Sequence, residues 1–228
     1  MRLQPIRAFC FHHVSDSFDD STMKRCDWLP TDMFKQLILQ LREEGYTFIS
    51  LPEAQVKLQH DAFRRSKYAV LTADDGWASL KNILPWLHEQ QIPITLFLNP
   101  AYLDGMHYRD SEKEKYLTKE DVLNLHTQYS LLTIGTHGWE HRDPVNMTDQ
   151  DFKDSLQKSI EYLKEIPNCI PYFAFPYGHH KGNQIDIVNQ MGVVPVMVGW
   201  DGENYSDRNY IDRELLGIDY LKQYIFGK

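Results

Sequence analysis

Short runs of β-branched and aromatic residues alternate with helix-like stretches along the whole chain, and this alternation limits the possible folds more than any other feature. The runs lie at residues 7–12, 46–49, 68–73, 94–98, 131–136, 172–175, 193–198 and 215–218. Strands that are separated by helices form parallel βαβ units. We therefore predict an α/β protein with about seven parallel strands, arranged either as an open doubly wound sheet or as a barrel.

The stretches between the runs carry helix signals. Thr31 is a candidate N-cap for a helix that stops at Gly45, residues 78–90 predict a second helix, and Thr118 and Thr148 each precede another. Apolar residues at helical spacing mark the inner faces of the first and last of these helices: Phe34, Leu37, Ile38 and Leu41, then Phe152, Leu156, Ile160 and Leu163. Residues 99–116 are polar and too long for a tight connection, so we expect an excursion that shapes a substrate groove.

Polar and aromatic side chains follow several predicted strands, and their positions decide between the two arrangements. In a β/α barrel, functional residues collect on the loops that leave the carboxyl ends of the strands. The residues at these ends are His12, Asp74 with Asp75, His137, Pro176 with Tyr177, and Trp200 with Asp201. We therefore predict a distorted parallel β/α barrel of about seven strands, with residues 1–228 forming one catalytic domain.

The composition is typical of a globular protein that folds without crosslinks. Of the 228 residues, 42% are apolar and 25% are charged, and a chain of this length buries enough surface to need neither disulfides nor a structural metal. Any metal is therefore expected to be functional. The net charge of −8 argues against nucleic acid and anionic membranes as partners, and the oligomeric state is left open.

The three cysteines, Cys10, Cys26 and Cys169, have no C-x-x-C spacing, which favours reduced, buried thiols over a disulfide framework. The first residues contain no apolar stretch long enough for a signal peptide or a membrane span. The sequence as given predicts a cytoplasmic protein, whereas prior removal of an export signal would make it extracytoplasmic.

Asp74 and Asp75 follow an apolar strand in the segment L-T-A-D-D-G-W. Two adjacent carboxylates at a buried strand end are costly unless a cation accompanies them. An ordinary turn is the alternative, since Asp-Gly is a common turn pair.

His137 and His141 are four residues apart in T-H-G-W-E-H. On one side of a helical turn they would present two imidazoles to a single ion. Together with the two carboxylates they predict a His2Asp metal site with open positions, which is typical of catalytic rather than structural sites. One Asp would then bind the ion while its neighbour acts as general base.

The segment F-A-F-P-Y-G at residues 173–178 is a third candidate motif. A Pro-Tyr-Gly turn at a strand end can aim a backbone N–H at a developing oxyanion while the ring of Tyr177 forms a wall of the pocket. A loop with a packed tyrosine is the alternative.

The order and spacing of T-A-D-D-G, T-H-x-x-x-H and F-x-F-P-Y-G resemble those of the polysaccharide deacetylases, the fourth carbohydrate-esterase family with its NodB-homology domain. Residues 11–15 (F-H-H-V-S) and 43–51 (E-E-G-Y-T-F-I-S-L) resemble the segment before the first motif in members that act on biofilm and cell-surface polysaccharides. The resemblance extends over residues 6–219. It implies a distorted β/α barrel, a divalent metal and hydrolytic removal of N-acetyl or O-acetyl groups from sugars. Zinc is the expected metal, with cobalt, nickel or manganese as alternatives.

The resemblance also implies roles for individual residues. Asp74 would be the general base, and Tyr177 would contribute its backbone N–H to the oxyanion site. The metal ligands would be Asp75, His137 and His141.

The sequence departs from the family pattern at two buried-strand positions. Ala73 stands where an aromatic residue is usual, and Ala174 stands where the family carries an arginine that steadies the catalytic Asp. Arg213 resembles the arginine of a late motif in some members. We hypothesise that Arg213 replaces the missing guanidinium.

The late motif usually ends in a histidine that protonates the leaving amine, but residues 215–219 contain none. His12 is the first candidate for this general acid, with His13, His179 and His180 next, and a structural role is the alternative for each.

The leading hypothesis is a metal-dependent carbohydrate deacetylase, a hydrolase of carbon–nitrogen bonds other than peptide bonds. Tyr177 and Trp200 are the aromatic residues expected to contact sugar rings. A catalytically impaired carbohydrate-binding protein that retains the metal site is the alternative. A third hypothesis keeps the enzyme but changes the bond, to an O-acetyl ester or to an N-acetyl group on a nucleotide-linked or lipid-linked sugar.

Overall fold

The computed structural model describes residues 5–17, 28–60, 66–103, 105, 116–199, 202–205 and 209–227. The strands are β1 (Ile6–Phe11), β2 (His13–Ser15), β3 (Trp28–Pro30), β4 (Tyr46–Phe48), β5 (Lys67–Ala73), β6 (Ile94–Leu98), β7 (Leu132–Thr136), β8 (Cys169–Ala174), β9 (Val194–Val196), β10 (Glu203–Asn204) and β11 (Glu214–Leu215). The helices are α1 (Thr31–Glu43), α2 (Leu51–His60), α3 (Leu84–Glu89), α4 (Pro100–Leu103), α5 (Lys119–Gln128), α6 (Asp149–Leu163), α7 (Gln184–Gln190) and α8 (Ile218–Phe226). Short 3-10 helices lie at Ala78–Asn82, Pro144–Asn146 and Pro176–Gly178.

One curled sheet organises the molecule. Its strand order is β10-β1-β5-β6-β7-β8-β9, with β4 paired to β5 and β11 paired to β1. All of these pairings are parallel except that of β10 with β1. The sheet forms a half-barrel, which confirms the predicted distorted barrel of mainly parallel strands. Strands β2 and β3 form a separate parallel pair.

The two ends of the curled sheet are linked by residues 211–216. The Met197 N–H donates to the Ile211 carbonyl at 2.7 Å on the β9 side, and the Leu216 N–H donates to the Cys10 carbonyl at 2.7 Å on the β1 side. This closing segment contains Arg213, so the topology brings that residue into the barrel.

Alternating side chains of the strands supply two apolar layers. Phe9 and Phe11 of β1 pack in the layer that also contains the buried face of α1. Ile6 and Ala8 point the other way and join a separate interior cluster with Phe97 of β6. The barrel interior is therefore packed with side chains below the level at which the functional residues lie.

The helix predictions are confirmed in part. The Thr118 side chain accepts from the Asp121 N–H in a capping box, and the Thr148 side chain accepts from the Asp151 N–H at the start of α6. The N-cap prediction for Thr31 is wrong: α1 begins at Thr31, and Pro30 occupies the cap position without a side-chain hydrogen bond. The predicted apolar faces of the two long helices are buried at Phe34, Leu37, Ile38, Leu41, Phe152, Leu156 and Leu163, with Ile160 partly buried.

Two predicted elements have different bounds. The stretch at 78–90 is divided into a 3-10 helix and α3, because Pro85 in the first turn of α3 has no N–H to continue the preceding hydrogen bonds. The strand predicted at 215–218 ends at Leu215, and α8 begins at Ile218. Of the predicted excursion, Pro100–Leu103 forms α4, while residues 104 and 106–115 lie outside the described residues.

Cys10 is buried and Cys169 is partly exposed, both as free thiols, and Cys26 lies outside the described residues. Within the described ranges, no helix has the length and apolar character needed to cross a bilayer.

Candidate active site

The carboxyl ends of β1, β5, β7 and β8 converge on one pocket of about 320 Å³. This is the arrangement predicted from the positions of polar residues after the strands. The described residues that line the pocket are His12, Asp74, Asp75, His137, His141, Phe175, Tyr177, Gly178, His179, Val198 and Leu215. Trp200 and Asp201, which were predicted to lie at the seventh strand end, fall outside the described residues.

A tight turn directs the two aspartates after β5 to different surroundings. Asp75 has φ +69° and Gly76 has φ +77°, and a Cβ on Gly76 would lie 2.8 Å from Leu98 Cδ2. Asp74 therefore continues the strand and is buried, whereas the Asp75 side chain turns into the pocket and keeps 13% of its surface exposed.

Backbone strain is concentrated around the pocket. Within the described part of the chain, three of the five non-glycine residues with positive φ are Asp75, His141 and Tyr177. Such conformations cost about 1–3 kcal/mol each and persist where the surroundings hold them in place. The fold is thus less stable at these three positions than it could be, and in return the three side chains are held at the pocket.

The buried guanidinium of Arg213 forms a two-point ion pair with Asp74. Arg213 Nη1 donates to Asp74 Oδ1 at 2.6 Å, and Nη2 donates to Oδ2 at 2.8 Å. Arg213 is fully buried, so water does not screen the pair. Burial alone would raise the pKa of Asp74, but the charge of Arg213 outweighs it and holds that pKa at about 2.

Two further side chains hydrogen-bond to this ion pair, and neither contact is predicted by the sequence. The Cys10 thiol donates to Asp74 Oδ2 at 3.3 Å, and burial raises the thiol pKa well above its usual value, so that the donor proton is retained. The Thr72 hydroxyl accepts from Arg213 Nη1 at 2.8 Å and donates to the Phe9 carbonyl. The side chains of Cys10 in β1 and Thr72 in β5 both point into the barrel interior.

Asp75, His137 and His141 converge on one point and fit a divalent metal. Asp75 Oδ1 lies 3.1 Å from His141 Nε2 and 3.3 Å from His137 Nε2. This oxygen is buried and has no hydrogen-bond partner among the described residues, although an unpartnered buried carboxylate oxygen is costly. A cation held between these three atoms would satisfy it, and two imidazoles with one carboxylate is a ligand set that zinc prefers.

The outer nitrogen of His137 supports the same interpretation. Its Nδ1 lies 2.8 Å from the Ala174 carbonyl, which can only accept, so Nδ1 carries the proton. In the neutral imidazole, Nε2 therefore presents a lone pair to the pocket. A metal-binding histidine is usually oriented by a hydrogen bond of this kind.

The charges of Asp75 and His141 are coupled. Burial acts against both charged forms, but the neighbouring carboxylate of Asp75 outweighs it and raises the pKa of His141. The same attraction to His141 outweighs burial and holds the pKa of Asp75 well below its usual value. The Asp75 carboxyl is thus ionised at neutral pH, which is the form that can bind a cation.

The two histidines are brought together by a loop and not by the helical turn that their spacing predicted. Residues 137–143 contain no helix, and Gly138 at φ +81° and His141 at φ +54° reverse the chain. Asn99, which follows β6, holds this loop through its Nδ2, which donates to the carbonyls of His137 at 2.6 Å and Gly138 at 3.1 Å. The sequence reasoning missed Asn99, although its position directly after a strand was the available signal.

Tyr177 lies at the mouth of the pocket with 55% of its surface exposed. Its backbone adopts φ +60° within the short helix Pro176–Gly178, and its ring meets the edge of the His141 ring at a centroid distance of 4.6 Å. This placement is compatible with both predicted roles, an N–H donor near the reacting centre and an aromatic wall.

The four candidate histidines separate clearly. His12 lines the pocket, and its Nε2 lies 3.9 Å from Asp75 Oδ2. His179 also lines the pocket but is exposed and bonded to Asp143. His13 is buried against Trp77, and burial lowers its pKa to about 4. His180 is exposed and is not among the described lining residues.

A larger cavity of about 460 Å³ lies elsewhere, between α6 and β8. Its described lining is mainly apolar and includes no carboxylate or imidazole. Size alone would favour this cavity, but the groups that could perform acid, base or metal chemistry are in the smaller pocket.

A family model described as polysaccharide deacetylase matches residues 62–196, more than half of the chain. The chain belongs to the polysaccharide deacetylase family. The matched range contains all three motifs, including Asp74, Asp75, His137, His141 and Tyr177. A search of curated protein sequences found no match.

Solved structures of deacetylases share the fold. IcaB from Ammonifex degensii has a TM-score of 0.78 at 22% identity, covering 98% of this chain and 97% of that one. The deacetylase PplD from Streptococcus pyogenes, in complex with acetate, also has a TM-score of 0.78, at 17% identity and 95% and 94% coverage. A de-N-acetylase from Aggregatibacter actinomycetemcomitans has a TM-score of 0.78 at 17% identity, covering 97% and 100%.

The two departures from the polysaccharide deacetylase pattern have simple structural counterparts. Ala73 is fully buried in the core. Ala174 offers no guanidinium, but Arg213 of the closing segment contacts both oxygens of Asp74. The position of Arg213 is the one that the sequence hypothesis requires.

Proposed function

We propose that this polysaccharide deacetylase is a metal-dependent hydrolase that removes N-acetyl groups from an N-acetylated sugar or polysaccharide. The observation that carries the proposal is the unpartnered Asp75 Oδ1 between two imidazole nitrogens. The adjacent Asp74 is held as a carboxylate by Arg213. The structural relatives include a protein named a de-N-acetylase and a deacetylase in complex with acetate, which supports an acetyl substrate.

Each residue of the chain has a defined task in this proposal. Asp75, His137 and His141 would hold the ion, which when bound polarises a carbonyl and makes water more acidic. Asp74 Oδ2 lies 3.9 Å from His137 Nε2, beside the ligands, and would take the proton from the attacking water. The backbone N–H of Tyr177 would stabilise the negative charge that develops on the acetamide oxygen.

His12 would return a proton to the leaving amine. It is in the pocket at the end of β1, and its Nδ1 is buried with no hydrogen-bond partner among the described residues. His13 lies behind Trp77 with a lowered pKa, and His179 is held at the exposed rim by Asp143. His12 is therefore better placed than either to reach a substrate.

The impaired, sugar-binding alternative was motivated by a missing arginine and a missing histidine. The ion pair of Arg213 with Asp74 weakens the first reason, because a guanidinium does meet the carboxylate. His12 in the pocket offers a replacement for the second. These placements favour turnover over binding alone.

Acetate release from chitooligosaccharides, poly-N-acetylglucosamine, O-acetylated sugars and N-acetylated nucleotide sugars tests the proposal. Asp74→Asn should lower the rate about 10²–10⁴-fold, because the general base is lost. Asp186→Asn, on an exposed position of α7, is the matched control and should keep the wild-type rate. Full activity of Asp74→Asn would reject the mechanism. Acetate release from O-acetyl esters alone would mean that the enzyme cleaves an ester bond and not an amide bond.

The role of His12 is tested by its pH profile. His12→Gln should retain some activity and flatten the high-pH limb of the rate, since that limb reports loss of the acid's proton. An unchanged profile would remove His12 as the acid.

Arg213→Ala should strongly reduce activity, and a small loss of activity would mean that Arg213 does not stand in for the family arginine.

A further inference from the structure

Trp77, directly after the D-D-G turn, contacts the proposed metal ligand Asp75. Its indole Nε1–H donates to Asp75 Oδ2 at 2.9 Å. The other oxygen, Oδ1, is the one that lies 3.1–3.3 Å from the imidazoles of His141 and His137. The two oxygens of this carboxylate therefore have different partners.

We propose that Trp77 is a positioning residue for the metal: its indole N–H holds Asp75 Oδ2 so that Oδ1 faces the ion. This inference rests on the proposed function, because it requires Asp75 to be a metal ligand. Tryptophan is suited to the task because its indole N–H only donates and carries no charge. It orients the carboxylate without competing for the cation or repelling it.

The indole is itself held in place. Its ring stacks on Tyr116 at a centroid distance of 4.2 Å and an angle of 23°, and it meets the His13 ring at 4.3 Å. The backbone adds a β-bridge between Trp77 and Tyr116, and the Leu117 N–H donates to the Gly76 carbonyl at 2.8 Å. Tyr116 and Leu117 are thus fastened to the turn that carries Asp75.

Other groups near Asp75 Oδ2 do not duplicate this contact. His12 Nε2 lies 3.9 Å away, beyond hydrogen-bond distance. Among the described residues, Trp77 is the side chain with a hydrogen bond to this oxygen. The left-handed backbone of Asp75 leaves the carboxylate projecting into the pocket, so its orientation depends on side-chain contacts.

The test is the zinc dissociation constant of chelator-stripped protein, measured by competition with a chromophoric chelator. Trp77→Phe keeps an aromatic ring for stacking but loses the donor, and it should weaken zinc binding about 10–100-fold. Trp28→Phe is the matched control, because it removes an indole hydrogen bond, to the Ser15 carbonyl, away from Asp75. It should bind zinc like the wild type. If Trp77→Phe does not fold, Trp77→Met fills similar space without a donor.

A double-mutant cycle separates positioning from general packing. If Trp77 acts through Asp75, Trp77→Phe should have no further effect on zinc affinity in an Asp75→Asn background. A full additional loss there would overturn the inference, as would a Trp77→Phe dissociation constant within twofold of the wild type. If the wild type binds no zinc, or Asp75→Asn binds it unchanged, the proposed metal site fails and this inference fails with it.

Discussion

Asp74 and Arg213 form a buried ion pair, and removal of either member alone leaves the other charge buried without its partner. Taking two charges out of water is costly, and the bidentate geometry with the added bonds from Thr72 and Cys10 offsets that cost. An unpaired charge left at this position would have no such compensation. The pair therefore holds both oxygens of the Asp74 carboxylate in place beside the proposed metal ligands.

At the residue scale, Arg213→Met should destabilise the protein by about 3–5 kcal/mol at pH 7, because Asp74 is left charged and buried. In the wild type, Asp74 has a pKa of about 2 against its usual 3.8. Its contribution is therefore present above pH 4 and lost as the pH falls towards 2. In the variant, burial raises the pKa of Asp74, so the deficit should shrink on acidification. Urea unfolding of the wild type and the variant at pH 7 and pH 4 measures the deficit and its decrease on acidification.

Arg7→Met is the control for this prediction. Arg7 pairs with Glu214 at a partly exposed position, so its loss should cost less at pH 7. An Arg213→Met deficit that is no larger than that of Arg7→Met, or that grows at acid pH, would contradict the charge argument.

Much of the site was predictable at the residue scale because its members directly follow strands. Asp74, His137 and His12 all end apolar runs, and parallel strands bring their carboxyl ends together. The contact between Arg213 and Asp74 was proposed only through the family resemblance, since 139 positions separate the two residues. The bonds from Cys10 and Trp77 depend on side-chain directions that spacing does not encode.

The loop at 137–143 is the element that sets the spacing of the two imidazoles. The loop contains no helix or strand. The side-chain amide of Asn99 connects it to the end of β6. The metal-binding geometry therefore depends on a neighbouring strand as well as on the motif itself.

At the element scale, Asn99→Ala should cost about 1–3 kcal/mol, because two buried carbonyls lose their donor. It should also weaken zinc binding, since His137 is no longer held. Urea unfolding and a zinc titration measure these changes. Asn124→Ala, at an exposed position of α5, should change stability by less than about 0.5 kcal/mol. Equal behaviour of the two variants would refute the role of Asn99.

The elements differ in how well the sequence predicts them. Each of the eight predicted runs overlaps a strand of the main sheet, because buried parallel strands are continuous apolar segments, although the last run shares only Leu215 with β11. Helices α2, α4, α7 and α8 were not predicted, although Leu51, Ala54 and Leu58 of α2 are spaced on one buried face. The histidine loop was misread as a helical turn because left-handed residues such as His141 are held by tertiary contacts.

At the scale of the whole molecule, one closing segment brings together functional residues that are far apart in the sequence. Residues 211–216 bridge β9 and β1 and carry Arg213 to the aspartate that ends β5. Metal binding would add a second connection, from β5 to the loop after β7. Both connections link strands of the main sheet through residues of the same pocket. Ligand binding in the pocket should therefore stabilise the whole molecule.

At the scale of the whole molecule, zinc at 100 times its dissociation constant should stabilise the fold by about 2.7 kcal/mol. For a chain of this size that corresponds to a rise in Tm of roughly 5–10 °C. Differential scanning calorimetry of chelator-stripped protein with and without zinc measures the rise. His141→Ala should abolish it, and His60→Ala, at the exposed end of α2, should not. The same rise in both variants would place the ion elsewhere.

The most direct test of metal-dependent deacetylation is a zinc titration of chelator-stripped protein, followed by acetate release from N-acetylated sugars. We predict almost no release without metal, a linear rise up to one zinc per chain and a plateau beyond it. Acetate release that is equally fast in the stripped protein, or none on any N-acetylated sugar at full zinc loading, would contradict the account.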